Sequence, residues 1–131
     1  MSHEIVTSPE LAEPVGYAHA VVAASGRLVH LGGQTALDQS GAIRGATIAE
    51  QFDVAAGNVV AALAAAGGRP ENLVSLQVFV TDVPAYKAAL AEIGAAYRRH
   101  FGRHYPAMSL LGVTSLWDEE AMVELVGVAV V

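Results

Sequence analysis

The chain has no cysteine, and only 15% of its 131 residues are charged. The first absence excludes disulfides, thiol catalysis and cysteine-ligated zinc. Positive charge is scarce: seven Lys and Arg stand against 13 Asp and Glu, for a formal net charge of −6. Tight binding to nucleic acid needs clustered cations that displace counterions from phosphates, so no nucleic-acid partner is expected. Arg98, Arg99 and Arg103 do cluster near a predicted helix end. They read either as a local anion site or as cations suited to the negative end of a helix macrodipole.

Long apolar runs are missing too. The uncharged stretch from Val54 to Gly68 contains Asn58 and three glycines and is too short to cross a bilayer. No membrane partner is expected. The opening MSHEIVTSPE has no basic region followed by an apolar one, so no signal peptide is read there and the cytoplasm is the expected location. His19, His30, His100 and His104 lack metal-ligand spacing such as an HExxH helix supplies, so neither a metal nor a cofactor is expected. No serine sits in a nucleophile-elbow pattern. Gly32-Gly33 precedes no helix, so it is not a phosphate loop. It reads as a tight bend or as a place where backbone closely approaches a ligand.

What is present is a core. Hydrophobic residues make up 53% of the chain, well above what disorder permits. Residues 1–131 read as a single domain. Ile5-Val6 starts a first short strand, and the two prolines of SPELAEPVG make the next segment a loop. Two further strands, about His19–Ala23 and Leu28–Leu31, flank Ser25-Gly26, a pair that signals a hairpin. Gly41 in LDQSGAI suits a turn with positive φ.

Thr47 to Ala66 reads as a helix. Thr47 and Glu50 have capping-box spacing, and Ile48, Phe52, Ala55, Val59, Leu63 and Ala66 form one apolar stripe. Gly67-Gly68 ends it and Pro70 prevents its resumption. Leu73 to Thr81, LVSLQVFVT, is apolar enough to be a central strand. Asp82-Val83-Pro84 opens a second helix, with Tyr86, Leu90, Ile93, Tyr97 and Phe101 as its stripe and Gly102 as its end. Strands near Met108–Val113 and Met122–Val131 follow, joined by the acidic loop SLWDEEA. The order is βββαβαββ. Two helices cover one face of a single mixed sheet and leave the other face apolar, for which association of subunits is the simplest cover.

Glu124 stands out because it interrupts the apolar run from Met122 to Val131. A carboxylate there is costly unless it is hydrogen-bonded or open to a cleft. It is either a usable general base or acid or a strand position facing solvent. Tyr17 follows Gly16 after Pro14. Its hydroxyl points into a pocket, or its ring packs over the core with the polar end wet.

Four segments carry a resemblance: Gly16-Tyr17-Ala18-His19-Ala20, LVHLGGQTALDQSGAI, EQFDVAAGNVVAALAAAGGRPENLVSLQVFVTD and YPAMSLLGVTSLWDEEAMVELVGVAVV. In order and spacing over nearly the whole chain, the sequence resembles the RidA (YjgF) family. The resemblance implies an α+β, chorismate-mutase-like fold, a homotrimer, and small-molecule pockets at the subunit boundaries. It also implies hydrolysis of reactive imines and enamines derived from amino acids. In that chemistry a tyrosine near the first hairpin lines the site, together with backbone groups of a glycine turn. An arginine after a Pro-Ala pair grips the substrate carboxylate, and a glutamate on the last strand places or activates water.

By that resemblance Tyr17 and Glu124 are the candidate catalytic residues, and Gly32, Gly33, Met108, Ser109 and Leu110 the candidate substrate-binding residues. Gly32 stands where a serine is common. Met108 stands where the arginine belongs, and no Arg or Lys neighbours it in this turn. Methionine offers neither charge nor donor. It lines a more apolar pocket or fills core. Losing two charge-assisted bonds, each about 1.5–3 kcal/mol, weakens carboxylate binding by at least on the order of a hundredfold. The two functions carried forward are an imine or enamine hydrolase with altered substrate preference and a non-catalytic trimer that binds a metabolite or a partner. The ribonuclease label sometimes attached to the family fits poorly with the acidic charge and with the lack of a catalytic His pair or basic groove.

Overall fold

The first helix begins and ends where its side chains dictate. In the computed structural model, which describes residues 2–131, helix α1 spans Ile48–Ala65. The Thr47 hydroxyl accepts from the Glu50 amide at 3.2 Å, while the Glu50 carboxylate reaches back one residue further than expected, to the Ala46 amide. Gly67 adopts φ +82°, and the Gly68 amide donates to the Leu63 carbonyl at 2.8 Å. This is the double-bonded glycine stop that satisfies the last carbonyls. Phe52, Ala55, Val59 and Leu63 of the expected stripe are fully buried, each large side chain contributing on the order of 1.5–3 kcal/mol. By length and mean hydropathy α1 could cross a bilayer; here that apolar stripe is spent on the sheet.

The sheet under α1 has four strands in the order β3-β6-β4-β5: Leu28–His30, Val123–Val130, Leu73–Val80 and Ala107–Gly112. β4 is central, antiparallel to β6 and parallel to β5. A mixed sheet with helices on one face, as expected, thus organises the core. Two details differ. Ser25-Gly26 does not close a hairpin: β2 (Ala20–Val22) pairs with β1 (Glu4–Val6) in a separate ribbon. After Gly26 the chain turns to the C-terminal strand instead, with Arg27 and Val131 exchanging both backbone bonds. A Cβ on Gly26 would stand 2.6 Å from the Val131 carbonyl oxygen, so glycine serves a close crossing there and not a hairpin turn.

The second helix is two helices, α2 (Val83–Ala88) and α3 (Leu90–Phe101). Ala89 between them has φ −99° and ψ 14°. The break rotates the stripe. Ile93, Tyr97 and Phe101 remain buried, but Leu90 is 58% exposed and is released from the core. No glycine or proline marks the break. Asp82 caps α2 through the Ala85 amide, and Gly102, with φ +65°, ends α3.

The strand registers decide which side chains share a face, since directly paired residues project together. Leu76, Val78, Leu125 and Ala129 are buried beneath the helices. Gln77, Phe79, Glu124, Val126 and Val128 alternate with them and project from the opposite face, joined there by Ser109 and Leu111. Among the described residues no helix covers that second face.

Candidate functional site

Glu124 lies on the uncovered face between buried Val123 and Leu125, paired with Phe79 of β4. It is half-buried, and none of the ion pairs among the described residues involves it. Its neighbour across the edge is the glycine turn. Gln34 and Leu125 exchange backbone bonds at 2.8 Å in both directions, which brings Gly33 directly beside Glu124. A Cβ built on Gly33 would stand 2.8 Å from the Glu124 carboxyl carbon. Glycine at 33 is therefore what allows the carboxylate to lie over the turn. A Cβ on Gly32 would meet nothing within 4 Å, so a serine there would fit without strain.

Two residues absent from the sequence-based site hold this turn and strand in place. Asn58 of α1 donates to the carbonyls of Thr35 and Leu37 at 2.9 and 2.8 Å. Gln51, a buried polar residue, donates to the carbonyls of Gly45 and Glu120 and accepts from the Met122 amide at 2.8 Å. It thereby fixes the acidic loop just before Glu124. The signal was a polar amide within an apolar helix, but the sequence alone does not say what such an amide faces.

Tyr17, Met108 and Leu110 lie elsewhere. Gly16 has φ +77°, and the Ala18 amide donates to the Pro106 carbonyl at 3.0 Å. The Tyr17 segment is thus pinned beside the Pro-Ala turn that starts β5. Met108 pairs with Leu76, and Leu110 with Val78, so both project towards the helices, away from the face of Glu124. Ser109 pairs with Gln77 on the open face. Tyr17, Met108, Ser109 and Leu110 line a cavity of about 500 Å³ whose other walls are Tyr86 of α2, Leu90 and Arg98 of α3, and Tyr105. A second hollow of about 540 Å³ shares Tyr17, Met108 and Ser109 with the first and adds His19 and Gln77.

The cavity around Met108 is aromatic. The Tyr97 hydroxyl donates to the His104 carbonyl at 2.6 Å, with the Met108 sulfur 3.8 Å away. The Tyr97 and Tyr105 rings stack at 5.0 Å. Burial pushes the Tyr97 phenol well above its ordinary pKa, with further upward pushes from Tyr105 and Tyr86. Burial also raises Tyr86. Both phenols are thus neutral hydrogen-bonding groups, not proton-transfer agents near neutral pH.

Within one chain, then, the predicted residues fall into two groups. Gly32, Gly33 and Glu124 sit at the β3–β6 side of the open face, and Tyr17, Met108, Ser109 and Leu110 at the β5 edge. Neither of the two cavities described above is lined by Gly32, Gly33 or Glu124. Among the described residues no group of three or more His, Asp or Glu side chains is arranged to hold a metal.

A mixed sheet, helices on one face and a ligand-sized cavity at the edge of the parallel pair define an α+β protein of the Rid type. Residues 7–131 match the family described as Endoribonuclease L-PSP. The chain belongs to that family, the Rid or YjgF family. It is similar over the full length of both chains to YyfB of Yersinia pestis, a Rid-family protein of unknown function, with 28% identity and a TM-score of 0.88. Rv2704 of Mycobacterium tuberculosis, a member of the YjgF/YER057c/UK114 family, is 30% identical over 99% of this chain and all of that one, with a TM-score of 0.66. The mitochondrial protein MMF1 of Saccharomyces cerevisiae is 28% identical over 109 residues, 83% of this chain and 72% of that protein.

Proposed function

We propose that this chain, a single domain over residues 1–131, works as a homotrimer that hydrolyses a reactive imine or enamine. Its substrate carries no carboxylate on the reacting carbon. The observation that carries the reading is the carboxylate of Glu124, unpaired and laid over Gly33 on a sheet face that no helix covers. That carboxylate can activate water, and neither cavity described above reaches it. A second copy packed on the open face would bring the cavity of Tyr17 and Met108 against it and bury Val126, Val128 and Phe79. The fold shared with YyfB and Rv2704 is consistent with such an assembly. We place the protein in the cytoplasm; the mitochondrial name of the yeast relative is said of that protein.

The reaction follows from the groups present. Glu124 accepts a proton from water as its oxygen adds to the carbon of the C=N bond. The proton passes to nitrogen, and the resulting carbinolamine expels ammonia and leaves a carbonyl. One water is consumed for each carbonyl and ammonia formed. The Gly33 amide or the Tyr17 hydroxyl polarises the reacting group. Position 108 supplies no guanidinium, so an α-iminoacid lacks its two charge-assisted bonds there. A second reading, a trimer that binds a metabolite without turnover, is favoured by that same methionine.

The test is hydrolysis of an arylalkyl ketimine, generated in situ by an amine oxidase, with ketone and ammonia as readouts. Acceleration by the wild type, lost about a hundredfold or more in Glu124→Gln, is expected. No acceleration favours the binding reading. α-Iminoacids made by an amino-acid oxidase are expected to be poor substrates for the wild type and better ones for Met108→Arg.

A further inference from the structure

The turn that carries Met108 has no cation, yet the cavity around Met108 does. Arg98 of α3, an exposed residue, lines it together with Tyr105. Sequence spacing hides this, because positions 98 and 108 lie on different elements. Of the three clustered arginines, Arg99 is engaged, bound to Asp53 at 3.0 Å together with His100 at 2.8 Å. Arg98 takes part in none of the ion pairs among the described residues. Its guanidinium folds back along the helix onto Gly94, where a Cβ would come within 3.4 Å of Nη1. Gly94 lines the same cavity and leaves the side chain room to lie along the wall.

The cavity therefore combines apolar and cationic lining. Met108 and Leu110 of β5, Tyr86 of α2 and the exposed Leu90 of α3 supply the apolar lining, and Arg98 supplies the cation. A guanidinium beside aromatic walls binds carboxylates in bidentate fashion and strengthens as water is excluded. We propose that Arg98 is the anion anchor of this cavity. It selects ligands in which an apolar, preferably aromatic, body separates an anionic group from the reacting carbon. The inference rests on the cavity of the proposed function and names its ligand class, but it is independent of whether turnover occurs.

The probes are 3-phenylpropionate and its neutral amide, titrated calorimetrically into the full chain at low salt. The wild type is expected to bind the carboxylate about tenfold more tightly than the amide. Arg98→Gln is expected to abolish that preference and Arg98→Lys to keep part of it. Arg99→Gln should leave it intact, since Arg99 is already held by Asp53. Equal affinity of the two probes for the wild type, no binding of the carboxylate, or a preference that survives Arg98→Gln would overturn the proposal. Anion preference without ketimine turnover refutes the reaction and leaves the anchor standing. Turnover without anion preference refutes the anchor alone.

Discussion

The carboxylate of Glu124 occupies the space that a side chain on Gly33 would need, with its carboxyl carbon 2.8 Å from the missing Cβ. The two residues are 91 positions apart in sequence and meet because Gln34 and Leu125 exchange backbone bonds. Gly33→Ala therefore displaces the carboxylate while sparing the core, since the crowded atoms belong to the free end of a flexible side chain. The expected result is stability within about 1 kcal/mol of the wild type, measured by urea unfolding. Ketimine hydrolysis should be impaired as in Glu124→Gln. Full activity in Gly33→Ala would show that the carboxylate's position over the turn is immaterial.

Gln51 ties three backbone groups from two loops to α1. In Gln51→Leu those groups lose their partners while the volume is kept. At about 1 kcal/mol per bond, and more where a buried group is left unpaired, the loss should be about 3 kcal/mol in urea denaturation. Hydrogen exchange should quicken at Met122 before it does in the centre of β4.

The Tyr97 phenol is held protonated by burial. Unfolding returns it to an ordinary pKa of 10.0, so above that pH the unfolded chain releases a proton that the folded chain keeps. The unfolded state then binds fewer protons, and stability falls as pH rises. The contribution is intact below about pH 10 and shrinks above it. Tyr97→Phe loses the bond to the His104 carbonyl and about 1 kcal/mol at neutral pH. Its stability should decline less steeply between pH 10 and 11, with Tyr86 accounting for part of the slope that remains.

The uncovered face predicts association. Light scattering should give three times the chain mass of 13.5 kDa. Val128→Asp places a charge at the middle of that face, opposite Ser75 and His30. It should yield smaller species with the secondary structure retained, because nothing beneath the helices changes. A wild type that is monomeric at micromolar concentration would remove the subunit-boundary site altogether.

Much of this architecture was legible in the chain. The stripe of α1, its threonine cap and its double-glycine stop are local signals, set by side-chain spacing and backbone conformation within a few residues. The same holds for the central position of β4, whose run of apolar and β-branched residues marks a strand paired on both edges. The break at Ala89 was not legible. It carries no glycine or proline, and only the Ala89 backbone, at φ −99° and ψ 14°, marks it. The role of Gly26 was misleading for a related reason: a glycine that permits a turn and one that permits a close crossing look alike until the crossing chain, here Val131, is in place.

The sequence by itself determined most of the elements, their order and the family, because composition, periodicity and motif act over short distances along the chain. Only the tertiary structure decided that Glu124 and Met108 project from opposite faces of one sheet, since strand register sets the side of every residue. The structure alone also returned a cation to the cavity, bringing Arg98 from a helix to a place that no spacing in the sequence could assign.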